Sequence, residues 1–368
     1  MGAFGQDGGR EQNSMVRFQN REFKALGHMV EDGGLLWLIS SGAELSFRVT
    51  GAARLILTLQ ADDSAEDPAR ETQRPRFMIL ADGKPAAEKR MTARREQVTV
   101  FDGREKTDAE IRLIKLSEGT QSLMALEGVD TDGKTSPLPA RDRRIEFIGD
   151  SITCGYGVEG QSEAEAFTTA TENACRAYAW RCAEALGADA VLTCFSGHGI
   201  ISGYTGDPAV QNRSELVPPY YEKKGRNGFV LPSGRRIEEI PRDFSAFQPQ
   251  DIVIHLGTND LSWCGTDPER ARLFEEGYVR FLKTVRRNNP GAYLHCVLGV
   301  MGTGLNAAVE RAAEAYSRET GDRRIRTLLL EEQNAARDGY GSDFHPNEIT
   351  QRLLAQSVTD ALKKWMKS

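Results

Sequence analysis

No apolar run in the 368 residues approaches the roughly 20 needed to cross a bilayer, so no membrane partner is expected. The opening stretch MGAFGQDGGREQNSMVRF is equally poor in apolar residues, too poor for a secretory leader. A cytoplasmic location is therefore expected, or a secreted one if a leader has been trimmed. A basic surplus is missing too: 47 Lys and Arg face 53 Asp and Glu, which argues against a nucleic-acid partner. Cysteine is present six times (Cys154, Cys175, Cys182, Cys194, Cys264, Cys296) but never as C-x-x-C. That spacing excludes the usual zinc and redox motifs, and free, buried thiols are expected. The phosphate-cradling sequence G-x-x-x-x-G-K-[ST] does not occur.

The chain is longer than one hydrophobic core usually serves, and its apolar pattern changes period part way along. From Leu35 to about Glu127, short alternating runs (35–39, 43–49, 53–59, 76–80, 97–101, 110–116) are separated by turn-formers such as Gly51 and Asp82-Gly83. Such spacing predicts an N-terminal β-sandwich of jelly-roll type. The polar segment 130–144 carries the boundary, giving units 1–138 and 139–368. Beyond it, strands at 145–149, 190–195, 251–257, 292–299 and 324–330 alternate with helical stripes, one through Leu273, Phe274, Tyr278, Phe281, Leu282 and Val285. Another runs through Ile349, Leu353, Leu354, Val358, Leu362 and Trp365. Alternating strand and helix predicts a three-layer α/β/α unit with a parallel sheet, its ligand site at the carboxyl ends of the strands. The polar stretch 203–243 is expected to wall that site.

Two signatures compete at the end of the first of these strands, in IEFIGDSITCGYGVEG. Gly155–Gly160 satisfies G-x-G-x-x-G, but its first glycine stands six residues past the strand and no helix opens at its third. Dinucleotide binding needs both. Ser151 stands on the loop leaving the strand, where a nucleophile would be placed. Other strand ends supply possible partners for it: Ser196-Gly197, then Gly257-Thr258-Asn259-Asp260, and a late Ser342-Asp343-Phe344-His345-Pro346.

This set, GDS, a glycine block, GTND and a late His-Pro, resembles the SGNH (GDSL-type) hydrolases. IEFIGDSITCGYG, TATENACRAYAW, the D-x-H-P order, RFMILADGK and IRLIKLSEG narrow the resemblance to carbohydrate esterase family 2, two-domain acetyl esterases acting on plant-polysaccharide fragments. The resemblance implies a serine esterase that removes O-acetyl groups from xylo- or manno-oligosaccharides. It makes Ser151 the nucleophile and His345 its base, with an oxyanion hole from the Ser151 and Gly197 N–H groups and the Asn259 amide.

Asp343 lies two residues before the histidine, and two readings stand: its carboxylate orients His345, or a backbone carbonyl does. Phe344, Trp263 and Tyr156 sit beside the motifs as candidate sugar-binding aromatics, each equally readable as packing. His198, His255 and His295 lack metal-ligand spacing and are expected as core histidines, so neither metal nor cofactor is expected. Alternatives are another acyl substrate, as for a lipase or thioesterase, or a carbohydrate-binding protein with an idle hydrolase site. Nothing in the residues bears on oligomeric state.

Overall fold

Three short strands, β1 (Lys24–Leu26), β2 (Met29–Asp32) and β3 (Leu35–Leu38), lead into an 18-residue strand, β4 (Glu44–Ala61), in the computed structural model. The structure describes residues 22–226 and 228–366, so the opening segment read for a leader lies outside the described residues. The runs at 43–49 and 53–59, expected as two strands, are thus one. β5 (Arg76–Ala81) and β6 (Lys84–Arg90) form a hairpin, and the runs at 97–101 and 110–116 likewise merge into β7 (Arg95–Lys115). β8 (Met124–Thr131) and β9 (Lys134–Pro137) complete an antiparallel sheet ordered β2-β3-β8-β4-β7-β5-β6, with β1 and β9 also on β4. Register shifts between Val49 and Ile56 bend β4 without ending its pairing to β7, so the ladder continues where the glycine reads as a turn. The bent sheet encloses Leu45, Phe47, Leu57, Phe77, Ile79 and Leu113, all fully buried. Each contributes roughly 1.5–3 kcal/mol of hydrophobic stabilisation.

Past Pro137 the chain changes architecture. β10 (Arg143–Gly149), β11 (Ala188–Cys194), β12 (Asp251–His255), β13 (Tyr293–Val300) and β14 (Ile325–Glu332) form a five-stranded sheet ordered β11-β10-β12-β13-β14, with every pairing parallel. Alternate residues face opposite helical layers. Phe147, Val253 and Val297 meet α2 (Tyr178–Ala185) and α8 (Glu348–Trp365). Ile252, Ile254 and Cys296 meet α5 (Pro268–Asn288) and α6 (Asn306–Thr320). The five strands lie where the sequence predicts them, but the helical stripes are narrower. Leu273, Ile349 and Leu353 are 42%, 42% and 47% exposed, because they stand at the edges of the apolar faces rather than on them.

The excursion at 203–243, which includes the short helix α3 (Pro218–Tyr221), does two things. Its beginning bonds to the loop after β11, through Tyr204 N–H to the Gly197 carbonyl at 2.8 Å. Its end covers the antiparallel sheet instead of the site: Phe229, Leu231, Ile237 and Ile240 pack on Val30, Leu35, Trp37 and Ile39. All six cysteines are free thiols, five buried and Cys175 half-buried.

Candidate active site

β10 ends at Gly149, and the chain turns at once into the four-residue helix α1 (Ser151–Cys154). Asp150 starts that helix, its Oδ1 accepting the Ile152 N–H at 3.0 Å. Ser151 is thereby held at the carboxyl edge of the sheet, 5% exposed. Its Oγ lies 2.9 Å from Nε2 of His345, which arrives 194 residues later from the loop before α8. The other ring nitrogen, Nδ1, lies 2.8 Å from the backbone carbonyl of Asp343. A carbonyl can only accept, so Nδ1 carries the proton and Nε2 is free to accept the Ser151 hydroxyl. Burial lowers the imidazole below its ordinary value, opposed by the Asp343 carbonyl and charge, which favours the neutral form a base requires.

The histidine loop follows the short helix α7 (Ala335–Asp338) and is tightly determined. Asp343 and Phe344 both adopt left-handed backbone, at φ 53° and 59°. For residues with a Cβ this costs roughly 1–2 kcal/mol each. Hydrogen bonds hold it: Ser342 N–H to Gly157 O at 3.0 Å, Asp343 N–H to Glu165 O at 3.1 Å, Gly341 N–H to His345 O at 2.8 Å. The stretch Gly155–Gly160 is the seat for this loop. A Cβ on Gly157 would come within 2.8 Å of the Ser342 carbonyl, and one on Gly160 would run into the Ser342 backbone nitrogen. Gly157 and Gly160 of the dinucleotide-like motif thus allow close approach to the histidine segment, while Gly155 is pressed against the Asn173 carbonyl.

Of the three expected oxyanion donors, the structure leaves two without a partner among the described residues and gives the third a partner. Among the described residues, neither the Ser151 nor the Gly197 N–H has an acceptor. Gly197 sits at φ +76°, which a side chain would strain. Asn259, on α4 (Thr258–Cys264), directs its amide at the His198 carbonyl (2.9 Å) and towards Asp150 Oδ2 (3.4 Å). The adjoining Asp260 is a loop organiser: its Oδ1 accepts the N–H groups of Ile200, Ile201 and Ser202 at 2.8–3.1 Å. Burial pushes Asp150 up to about 7, with Asp260 adding to the effect, and Asp260 itself up to about 6.

The other candidates separate. The Asp343 carboxylate does not reach His345; its Oδ2 accepts from the Tyr156 hydroxyl at 3.2 Å. The Tyr156 ring stacks on Phe167 with centroids 3.7 Å apart and packs on the His345 ring at 4.2 Å, so its faces meet protein. Phe344 is 56% exposed beside the site. Trp263, by contrast, is 8% exposed in the helix–sheet core with the Arg270 guanidinium over its ring. The expectation of a sugar-facing Trp263 is corrected: one helical turn after Asn259, its side chain points down into the core, not up to the rim.

The three further histidines lie apart. His255 is buried in β12, and burial pushes it down to about 4. His295 Nε2 pairs with Asp251 at 2.9 Å. His198, under the glycine loop, lies 2.8 Å from Ser196 O and 2.6 Å from Arg226 Nη1. The sequence reading gave Glu118 no role although it stands in the quoted IRLIKLSEG, and missed Phe167 and Arg226, which reach this neighbourhood from segments with no motif of their own.

Residues 147–353, more than half of the chain, match the model of the GDSL-like lipase/acylhydrolase family. A cellulase/esterase, CelE, of Acetivibrio thermocellus is 33% identical over 296 residues. The match covers 78% of this chain but only 34% of that relative, so the chain spans about a third of its length. An acetylxylan esterase/glucomannan deacetylase of Cellvibrio japonicus is 27% identical over 291 residues, covering 78% of this chain and 76% of the relative. Among solved structures, a family two carbohydrate esterase from Clostridium thermocellum in complex with cellohexaose superposes with a TM-score of 0.78 at 29% identity, over 94% of this chain and 99% of that one. An acetyl xylan esterase from Butyrivibrio proteoclasticus shares the fold, with a TM-score of 0.82 at 22% identity over 95% and 96% of the two chains.

Proposed function

Since the chain belongs to the GDSL-like lipase/acylhydrolase family and is an ester hydrolase akin to the family two carbohydrate esterases, we propose that it removes O-acetyl groups from xylo- or manno-oligosaccharides through an acyl-enzyme on Ser151. One observation carries the mechanism: Ser151 Oγ lies 2.9 Å from His345 Nε2, while Nδ1 is held by a carbonyl. His345 takes the hydroxyl proton as Oγ attacks the acetyl carbonyl carbon. The negative charge that forms on the carbonyl oxygen meets the Ser151 and Gly197 N–H groups, and the Asn259 N–H that gives up its long 3.4 Å contact with Asp150 Oδ2. Each such donor is typically worth about 3 kcal/mol in the transition state. Collapse breaks the bond to the sugar oxygen, which leaves with the proton from His345. Water, deprotonated by the same imidazole, then releases acetate and restores Ser151.

In this reading Phe344 offers its exposed ring to a sugar face, while Tyr156 braces His345 and Asp343. The hemicellulose substrate is supported by the acetylxylan and glucomannan names of the Cellvibrio japonicus relative. A second reading, glycan binding with little turnover, is favoured by the cellohexaose complex of the Clostridium thermocellum structure. Acetate release from acetylated xylo- and manno-oligosaccharides, measured for wild type beside Ser151→Ala, separates the two. Release by wild type alone is expected. Tight sugar binding with no acetate from either protein overturns the esterase reading in favour of the second.

A further inference from the structure

Glu118 lies on the loop that leaves β7, and the reaction above gives it no role. Its side chain is fully buried beneath the two segments that carry the backbone oxyanion donors. Oε2 accepts the Ser196 N–H at 2.9 Å, one residue before Gly197. The same oxygen is 3.6 Å from Sγ of Cys154, the last residue of the helix that begins with Ser151. Oε1 faces Gln121 Nε2 at 3.4 Å.

We propose that Glu118 is a positioning residue for the oxyanion site, fixing the aim of the Gly197 N–H through Ser196; this rests on the esterase reading. The Ser196 carbonyl and the Gly197 N–H belong to one planar peptide and point in opposite directions. His198 holds that carbonyl at 2.8 Å, with its Nδ1 proton fixed by Arg226, which can only donate to Nε2. Glu118 holds the N–H of the same residue. Ser196 is thus gripped at both its polar backbone groups, and the next N–H, on a glycine at φ +76° outside any strand, is left aimed and unspent. Without the carboxylate, one end of that grip is free, and a donor misaimed in the transition state loses most of its value.

The surroundings keep Glu118 in place. Lys115 is fully buried and among its electrostatic neighbours, its ammonium donating to the Ser117 carbonyl at 2.5 Å. Burial pulls Lys115 down to about 8 against the attraction of Glu172, Asp62 and Glu118. Burial and the charge of Glu118 together push Glu172 well above the ordinary carboxylate range. Glu118, Cys154 and Glu172 bring one donor atom each within 4.8 Å of one another, a spacing a cation could use. Lys115 already brings a positive charge to that cluster.

The test counts active sites with a serine-directed 4-nitrophenyl phosphonate and expresses turnover of 4-nitrophenyl acetate per labelled site. Glu118→Ala should lose about tenfold or more in kcat per labelled site with KM within about twofold. Glu118→Gln, whose amide oxygen still accepts from Ser196, should stay within about threefold of wild type. Glu118→Ala at wild-type kcat per labelled site overturns the proposal, as does Glu118→Gln falling as low as Ala. A merely structural role would reduce the number of labelled sites, not the rate at each. If the Ala chain does not fold, Glu118→Asp, which withdraws the acceptor by one methylene, should show the same loss; a wild-type rate there overturns the proposal. Failure of wild type itself to label or turn over refutes the esterase reading, and is seen before any variant is compared.

Discussion

His345 donates its Nδ1 proton to the Asp343 carbonyl, and a neutral acceptor orients the ring without placing a full charge against it. The Asp343 carboxylate, turned to Tyr156, acts on the imidazole only through space, raising its proton affinity while burial lowers it more. Both features appear in a pH profile. A base must be neutral, so kcat/KM is lost as pH falls through the pKa of His345, and that limb should lie below the ordinary histidine value of about 6.5. Asp343→Asn keeps the left-handed backbone accessible and the carbonyl in place. It should hold plateau kcat within about threefold and move the limb to lower pH, because an attractive charge has gone. A limb at or above about 6.5 in wild type, or a loss beyond about tenfold (about 1.4 kcal/mol) in Asp343→Asn, would mean that the carboxylate does the orienting.

The loop pair Gly155–Gly160 and Gly341–His345 works as one element, although 180 residues separate its halves. Gly160→Ala puts a methyl into the Ser342 backbone and should displace His345 from Ser151. A fall in kcat of about tenfold or more is expected, with circular dichroism unchanged; full activity would show that the loop yields without cost to the site. At this scale the sequence was readable where a motif coincides with a strand end. Ser151, Gly197, Asn259 and His345 all project from the carboxyl edge of one sheet, so strand periodicity and residue type were enough to group them. It was not readable where partners come from unmarked segments. Glu118 lies 78 residues before Ser196, on the loop after a strand of the other sheet, and IRLIKLSEG carries the resemblance without telling what its glutamate touches. β4 hid its continuity because a bulged strand and a hairpin carry the same glycine. Trp263 misled because one helical turn separates rim from core, a difference in depth that residue type alone does not encode.

Across the whole molecule, the antiparallel and parallel halves share backbone hydrogen bonds and buried charge. Thr169 N–H reaches Thr72 O at 2.8 Å and Ala174 N–H reaches Leu116 O at 3.0 Å. His28 enters the parallel half to meet Thr193 and the Lys224 carbonyl. Lys24 of β1 pairs with Asp189 of β11 at 2.5 Å, the carboxylate almost fully buried. Breaking such a pair typically costs about 3–5 kcal/mol. Calorimetry should therefore show one cooperative transition; two separate transitions would show halves that stand alone. The buried thiols give that transition an irreversible side. Cys154 ends the helix of Ser151 and Cys194 ends β11, and burial holds Cys154 well above the ordinary thiol range, so it is inert towards oxidants while the fold is closed. Once the chain opens, six thiols become available together, and any two that couple block the way back. How much of a heated sample recovers is then set by the reductant beside it as much as by the fold.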